Sequence, residues 1–270
     1  MQETPYVVAC TSRYNNFSGN AFVGRLPLHG QDPRDHPHVA SGTYFNVGDS
    51  TATVWDCKVS PSSERLAFAS TNGAVVYTTG NLAGDVELFS SPNTEAFACD
   101  WLDSSTLAVG TRTKYRKNNV HGVHLWDVRT GGSVERFMRN ERIVAIQNPN
   151  DSGNNLIVAS NYKIDLYDTR MISEKLKDRP LLSLDHKSGS TRLHLSTRGT
   201  LVAAMDQYNK IQVYSLDTGK HLRTFGSTRP GLLQNPRWQQ DVRGALYLQA
   251  CAKNTIRQWV WNRSGRDGEL

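Results

Sequence analysis

The stretch Val123-His124-Leu125-Trp126-Asp127-Val128-Arg129-Thr130-Gly131 decides the fold of this 270-residue chain. It predicts the end of a β-strand that carries an aromatic residue and an aspartate, followed by a turn that ends on a glycine. Two variants follow, Ile164-Asp165-Leu166-Tyr167-Asp168-Thr169-Arg170 and Ile211-Gln212-Val213-Tyr214-Ser215-Leu216-Asp217-Thr218-Gly219. Their aromatic residues are spaced by roughly 40 to 50 residues, which is the period of a four-stranded repeat.

Each aromatic strand follows an apolar strand rich in small residues and precedes a shorter outer strand. Five such repeats can be identified from their hydrophobic pattern. The two inner strands of each repeat are predicted at Leu66–Ser70 with Val75–Tyr77, Leu107–Gly110 with Val123–Trp126, Leu156–Ser160 with Ile164–Tyr167, Leu201–Ala204 with Ile211–Tyr214, and Leu246–Ala250 with Thr255–Trp259. The outer strands are predicted at Val86–Phe89, Val134–Phe137, Leu181–Leu184 and His221–Phe225.

With this order and spacing, residues 53–261 resemble the WD-repeat family of β-propellers. The resemblance implies an all-β fold with about five readable blades and a partial N-terminal one. In such a blade the aromatic residue packs between neighbouring sheets, and the aspartate after it bonds the backbone of the turn. Trp55-Asp56-Cys57-Lys58 mimics this motif, but an apolar strand follows it, so it is predicted to lie in a first strand.

The ends of the chain leave the closure of the propeller open. Three regions are predicted: a partial N-terminal blade or closing strand with a Pro/His-rich loop at 1–52, the propeller at 53–261, and a polar tail at 262–270. The last repeat, Pro236–Trp261, has three strands, while Tyr6–Cys10 and Ala21–Val23 are spare apolar strands. Either an N-terminal strand completes the last blade, which removes an exposed edge, or the chain is an incomplete part of a seven-bladed ring.

Composition predicts a soluble intracellular protein, nuclear or cytoplasmic. The mean hydropathy is −0.52 and hydrophobic residues make up 38% of the chain. No run approaches the roughly 18 to 20 apolar residues that cross a bilayer, so no membrane contact is expected. The N-terminal segment lacks the charged start and long apolar stretch of a signal peptide.

Neither a metal site nor a catalytic site is expected. The four cysteines, Cys10, Cys57, Cys99 and Cys251, occur singly in apolar contexts, which favours buried free thiols. The segment His29–His38 holds three histidines and two aspartates, but its two prolines favour a solvated loop over metal binding. No nucleophile elbow, P-loop, HExxH motif or dinucleotide fingerprint is present, so the chain is predicted to be no enzyme and to need no cofactor.

The net charge of +6 favours an acidic partner, although most of it is spread thinly along the chain. One local concentration lies at 111–122, where other repeats have a tight turn. This segment holds Arg112, Lys114, Arg116 and Lys117 around Tyr115 and contains no acid. Two interpretations stay open: a solvated insertion, or a mobile basic hairpin that contacts an acidic protein or a phosphate backbone.

Two consecutive repeats carry an arginine that packing does not need, in Trp126-Asp127-Val128-Arg129 and Tyr167-Asp168-Thr169-Arg170. These boxes resemble those through which WD-repeat substrate receptors dock on the propeller adaptor of cullin-4 ubiquitin ligases. Residues 107–225 are similar to receptors of the cullin-4-associated factor 4 type. The resemblance implies protein contacts through both boxes, because a guanidinium presents a rigid fork of donors to carboxylates and carbonyls.

The leading hypothesis is therefore a non-enzymatic scaffold that acts as a cullin-4 ligase substrate receptor, with the adaptor and an unknown substrate as partners. The main alternative is a scaffold of a nuclear chromatin or RNA-processing complex that uses the hairpin 111–122. General nucleic-acid binding has only weak support, because the positive charge is dispersed.

Overall fold

The computed structural model describes the backbone of most of the chain, and the strands alternate as the hydrophobic pattern predicts. The described residues are 6–10, 20–25, 42–46, 52–79, 87–89, 94–115, 118–139, 141–149, 154–171, 179–187, 193–206, 208, 210–226, 233–252 and 255–261. They form antiparallel sheets whose strands follow one another in chain order. The chain divides into two compact units, 1–136 and 137–270.

The first unit contains one three-stranded sheet and two four-stranded sheets. The three-stranded sheet consists of β1 (Tyr6–Cys10), β2 (Asn20–Arg25) and β3 (Gly42–Asn46). The next sheet consists of β4 (Val54–Val59), β5 (Arg65–Ser70), β6 (Gly73–Thr78) and β7 (Glu87–Phe89). The third consists of β8 (Thr94–Trp101), β9 (Thr106–Tyr115), β10 (Asn118–Asp127) and β11 (Gly132–Arg139), of which β11 ends inside the second unit.

The second unit repeats the same arrangement. Its first sheet consists of β12 (Ile143–Gln147), β13 (Asn155–Ser160), β14 (Lys163–Asp168) and β15 (Leu182–Asp185). The next consists of β16 (Leu195–Arg198), β17 (Leu201–Met205), β18 (Ile211–Ser215) and β19 (His221–Phe225). The last has three described strands, β20 (Leu233–Gln240), β21 (Leu246–Ala252) and β22 (Thr255–Val260). In the described parts of the chain, no helix is long and apolar enough to span a membrane.

The inner strands are buried on both faces, which explains their apolar and small residues. In the first unit, a core cluster joins Ala67, Ala69 and Val76 of the β4–β7 sheet to Leu107 and Trp126 of the β8–β11 sheet. Alanines on one sheet leave room for the indole on the next, so the two sheets approach closely. This packing is what the repeat pattern predicts for Trp126. Val54–Val59 is a first strand, as predicted for the Trp55 motif.

In the second unit, one cluster continues through all three sheets, from Ile157 and Ile164 through Val202 and Tyr214 to Trp259. The turn after β18 repeats the turn after β10. Gly131 and Gly219 both have a φ of +68°, a left-handed conformation that favours glycine.

Two parts of the sequence form strands where none were expected. Gly42–Asn46 pairs with Asn20–Arg25, which pairs in turn with Tyr6–Cys10, so the N-terminal strands form a sheet with one another. The segment expected as a mobile loop at 111–122 instead extends β9 and β10, whose pairing continues out to Tyr115 and Asn118.

Candidate functional site

The box at the end of β10 holds an exposed arginine in a fixed position. The Asp127 carboxylate accepts a hydrogen bond at Oδ1 from the backbone N–H of Arg129 at 2.9 Å. The guanidinium of Arg129 donates from Nε to Oδ1 at 3.2 Å and from Nη2 to Oδ2 at 2.9 Å. The aspartate thus closes the turn and clamps the side chain with two parallel bonds. The arginine side chain is still 66% exposed.

The box at the end of β14 repeats this geometry bond for bond. Asp168 accepts the backbone N–H of Arg170 at 3.0 Å, and the guanidinium donates from Nε at 2.9 Å and from Nη2 at 2.7 Å. Here the turn is a short 3-10 helix, Thr169–Met171. The Arg170 side chain is 69% exposed. Two different turns therefore present the same surface group.

The arginine is the accessible part of each box. Trp126 is 1% exposed and Tyr167 is 5% exposed, and both lie in the interior. The side chains of Asp127 and Asp168 are only 15% and 11% exposed, and each is hydrogen-bonded to its own arginine. Of the six box residues named from the sequence, Arg129 and Arg170 alone offer most of their side chain to a partner; the contact itself stays a prediction.

The pKa of the Asp127 carboxyl depends directly on its contacts with Arg129. Hydrogen bonds from the Arg129 side chain and backbone lower the pKa of Asp127 from 3.8 to about 2. The arginine similarly holds the pKa of Asp168 below its ordinary value, chiefly through its side-chain hydrogen bonds. The pKa of Asp127 is thus lower in the folded chain than in the unfolded chain. The ion pair therefore contributes its full stabilisation at pH values above 3.8, and this contribution is lost as the pH falls through about 2.

Replacing Arg129 by alanine should therefore return the pKa of Asp127 toward 3.8, since the largest cause of the shift is removed. A carboxyl-carbon NMR titration measures this directly. Asp168 serves as the internal control, because its partner Arg170 is unchanged in the same molecule. An Asp127 pKa that stays near 2 in the variant would contradict the bidentate geometry.

The basic hairpin is less free than its sequence suggests. Glu95 lies on the neighbouring strand β8 in register with Arg112, and it forms ion pairs with Arg112 and with Lys114, the latter at 2.8 Å. The Arg112 guanidinium also lies 5.0 Å from the centre of the Phe97 ring. Burial favours a higher pKa for Glu95, but the hydrogen bonds and charges of Lys114 and Arg112 outweigh it and lower the pKa.

The segment 111–122 contains no acidic residue, but Glu95 of strand β8 partly neutralises its charge. Arg112 is 24% exposed, whereas Lys114 is 58% exposed. Arg116 and Lys117 lie outside the described residues. Of the two described cations, Lys114 is the one that remains accessible to a partner.

A polar cleft of about 200 Å³ lies in the second unit, and the sequence did not reveal it. It is lined by Arg139, Glu141, Lys163, Asp165, Tyr167, Pro180 and Ser183. Among these lining residues, Arg139 donates to the Asp165 carboxylate and to the Tyr167 hydroxyl. The side chains of this ion pair are 9% and 4% exposed. An aspartate between two apolar residues of a strand is the signal that points to such a buried pair.

The acids of the cleft are occupied by internal donors. Ser183 donates to Asp165 Oδ1 at 2.6 Å, and Ser160 donates to Glu141. The Asp165 carboxylate is therefore engaged by both Arg139 and Ser183. These contacts make the cleft a structural network that connects the end of β11 with β14 and β15.

A buried histidine links two turns at one end of the second unit. The His186 backbone N–H donates to the Tyr162 carbonyl at 2.8 Å. Its ring nitrogens lie 2.7 Å from the Met205 carbonyl and 3.1 Å from the Tyr214 hydroxyl. Burial lowers the pKa of His186, so the ring is neutral, with Nε2–H donating to Met205 and Nδ1 accepting from Tyr214. Burial also raises the pKa of Tyr214 to about 12.

Within the described residues, no group of three or more His, Cys, Asp or Glu side chains could hold a metal ion. The segment His29–His38 lies outside that part of the chain. Three free cysteines are described: Cys99 is buried as expected, Cys57 is partly buried, and Cys251 is exposed, contrary to expectation.

Comparison with known proteins identifies the fold. No protein-family model and no curated protein matches the sequence. A chain in a crystal structure of the mitotic checkpoint complex matches 97% of this chain and 73% of its own length, with a TM-score of 0.66 at 14% identity. The β-propeller domain of Myceliophteria thermophila Cps50 (Swd1) matches 90% of this chain and 77% of its own length, with a TM-score of 0.64 at 16% identity. The chain has an all-β fold of the β-propeller type.

Proposed function

We propose that this propeller is a non-enzymatic protein-interaction scaffold that serves as a substrate receptor of a cullin-4 ubiquitin ligase. In this role Arg129 and Arg170 bind the propeller adaptor of the ligase, and another surface binds the substrate. The observation that carries the proposal is the same exposed Asp-x-Arg geometry in two consecutive repeats. The role requires an intracellular chain, nuclear or cytoplasmic.

The box is well suited to a protein interface because its arginine is already fixed. Two guanidinium nitrogens, Nε and Nη2, are held by the aspartate in each box. No described residue accepts a hydrogen bond from Nη1 of Arg129 or Arg170. That nitrogen faces solvent ready to donate to a partner's carbonyl or carboxylate, and little side-chain entropy is lost on binding.

The box also predicts how binding depends on salt. Each aspartate neutralises its arginine, so the pair carries no net charge to a partner. Binding through the boxes should then depend weakly on ionic strength, because hydrogen-bond geometry and not net charge provides it. A partner held by an unpaired basic arm would instead dissociate steeply as salt rises.

The described cleft favours a scaffold over an enzyme. Its aspartate is paired with Arg139 and accepts a hydrogen bond from Ser183, and no histidine is among the described residues that line it. One structural neighbour is a chain in a crystal structure of the mitotic checkpoint complex, so this fold occurs in a protein assembly.

The alternative role, in a nuclear chromatin or RNA-processing complex through hairpin 111–122, draws on Lys114 with its 58% exposed side chain. Both cations pair with Glu95, but Arg112 supports the role less, because its side chain is only 24% exposed and also packs over Phe97. Salt dependence separates the two roles: weak for the boxes and steep for the hairpin.

Replacing both Arg129 and Arg170 by alanine should weaken adaptor binding by more than about tenfold, since exposed arginines are frequent interface hot spots. The fold should persist, because both side chains lie at the surface, and the melting temperature should stay within about 2 °C. Binding of purified adaptor by calorimetry, at about 50 and 200 mM salt, measures both the affinity and its salt dependence.

Arg243→Ala provides a matched control, because Arg243 is an exposed arginine in another turn. It should leave adaptor binding unchanged. Full adaptor affinity in the folded Arg129→Ala/Arg170→Ala variant, or no adaptor binding by the unmodified chain, would refute the receptor role. A steep loss of adaptor affinity with rising salt would indicate that the partner binds the hairpin 111–122 and not the boxes.

A further inference from the structure

Two exposed tyrosines occupy the same connection in consecutive sheets of the second unit. Tyr162 lies in the turn between β13 and β14 and is 61% exposed, while Tyr208 lies in the turn between β17 and β18 and is 71% exposed. Neither contributes to the core cluster of this unit. Aromatic rings this exposed are costly to hydrate and are common at binding surfaces.

Both turns are fixed by hydrogen bonds, and His186 connects them. The Tyr162 backbone N–H donates to Ser160 Oγ at 3.2 Å, and its carbonyl accepts from the His186 N–H at 2.8 Å. The His186 ring bonds Met205, which directly precedes Asp206. Asp206 in turn accepts the Tyr208 backbone N–H at 2.8 Å. The two tyrosines therefore lie at the same end of the second unit, where hydrogen bonds through His186 connect their turns.

Three exposed lysines accompany the tyrosines. Lys163 follows Tyr162, Lys187 follows His186, and Lys210 follows the Tyr208 turn. In the described part of the chain, none of the three has a carboxylate within ion-pair distance. Their charges are thus available to an anionic partner, in a chain with a net charge of +6.

The acids at this end of the unit are mostly committed to internal bonds. Asp206 accepts the backbone N–H groups of Tyr208 and Lys210 and the Gln212 amide. Glu141 accepts the Ser160 hydroxyl. Asp185 is the exposed acid here, and it lies opposite Lys163 in the β14–β15 register. Two of the three lysines, Lys187 and Lys210, have no such cross-strand acid in the described pairings.

We propose that Tyr162, Lys163, Lys187, Tyr208 and Lys210, together named the tyrosine–lysine face, bind single-stranded nucleic acid. The tyrosine rings stack on bases, and the lysine ammonium groups contact the phosphates. This combination of aromatic platforms and cations binds single strands with little sequence preference. It is separate from the Arg129 and Arg170 boxes and does not depend on the proposed ligase role.

The sequence has a similar pairing once more, because Tyr115 is followed by Arg116 and Lys117. Each of three consecutive repeats thus has a tyrosine followed within two residues by a cation, although 116 and 117 lie outside the described residues. An acidic peptide would use the lysines but has no need of exposed flat rings. Stacked bases need both, and a duplex hides the base faces that the rings would contact.

The test measures binding of the full chain to fluorescein-labelled oligouridine and oligothymidine of about 12 nucleotides by anisotropy. Tyr162→Ala with Tyr208→Ala should weaken binding by about tenfold or more, and Tyr162→Phe with Tyr208→Phe should retain it, because the stacking surface survives. Removing all three lysines should lower the slope of log affinity against log salt by about 2. Lys220→Ala, at the opposite end of the β16–β19 sheet, should change neither quantity.

Equal affinity for both oligonucleotides indicates that the face contacts bases and phosphates but not the sugar 2′-hydroxyl. A higher affinity for oligouridine indicates that the natural ligand is RNA. The proposal is overturned if neither oligonucleotide binds, if the tyrosine-to-alanine variant keeps full affinity, or if polyglutamate competes as well as oligouridine, which would indicate an acidic protein partner. The Arg129→Ala/Arg170→Ala variant should bind oligouridine normally, so failure of the ligase role and failure of this proposal are distinguished.

Discussion

Replacing Trp126 by alanine is expected to lower the free energy of unfolding by about 3 to 5 kcal/mol. The indole is 1% exposed and belongs to one core cluster with Ala69 and Val76 of the preceding sheet and Leu107 of its own. Paired strands on both sides cannot collapse into the cavity that alanine leaves, so the full cost is retained. Against a total stability of about 5 to 15 kcal/mol, the first unit would become marginal.

Urea unfolding followed by circular dichroism measures the loss. Trp126→Phe should cost less than the alanine variant, because a phenyl ring fills much of the same space. Val242→Ala is the matched surface control, since that side chain is fully exposed, and it should change stability by no more than about 0.5 kcal/mol. A loss below about 1 kcal/mol for Trp126→Ala would mean that the indole does not lie between the sheets.

Inner strands could be predicted from the sequence because a strand buried on both faces must be apolar along its whole length. Leu156–Ser160 and Leu201–Ala204 are both found as inner strands in the structure, the first within Asn155–Ser160 and the second within Leu201–Met205. The strand Gly42–Asn46 was missed, since it follows the segment rich in proline and histidine that favoured a loop.

Contacts between side chains on different strands were harder to predict from the sequence. The pairing register of the strands decides which side chains meet, and separation along the chain does not reveal it. Nothing near Arg112 in the sequence points to Glu95, yet the β8–β9 register places them opposite each other. The same holds for Arg139 and Asp165, which meet across different strands. Within a turn, by contrast, Asp127 and Arg129 are two residues apart, and their pairing follows from local geometry alone.

Removing the cation of the buried pair is the second large effect expected. Arg139→Met should cost about 3 to 5 kcal/mol of unfolding free energy, since it leaves the Asp165 carboxylate, 4% exposed, without its counter-charge. Methionine keeps much of the arginine stem, so lost packing contributes little to this cost. The bond to the Tyr167 hydroxyl is lost as well. Urea unfolding measures the change, and Arg243→Met provides an exposed arginine for comparison.

A double-mutant cycle separates the charge from the packing. If the cost arises from an uncompensated buried carboxylate, Arg139→Met combined with Asp165→Leu should recover most of the stability, because no charge then remains in the interior. Additive losses in the double variant would show that the two side chains act independently and that the ion pair does not hold β11 to β14. Ser183 donates a hydrogen bond to the same carboxylate, and it loses this acceptor in every variant that carries Asp165→Leu. Adding Ser183→Ala to Asp165→Leu should therefore lower the free energy of unfolding only slightly.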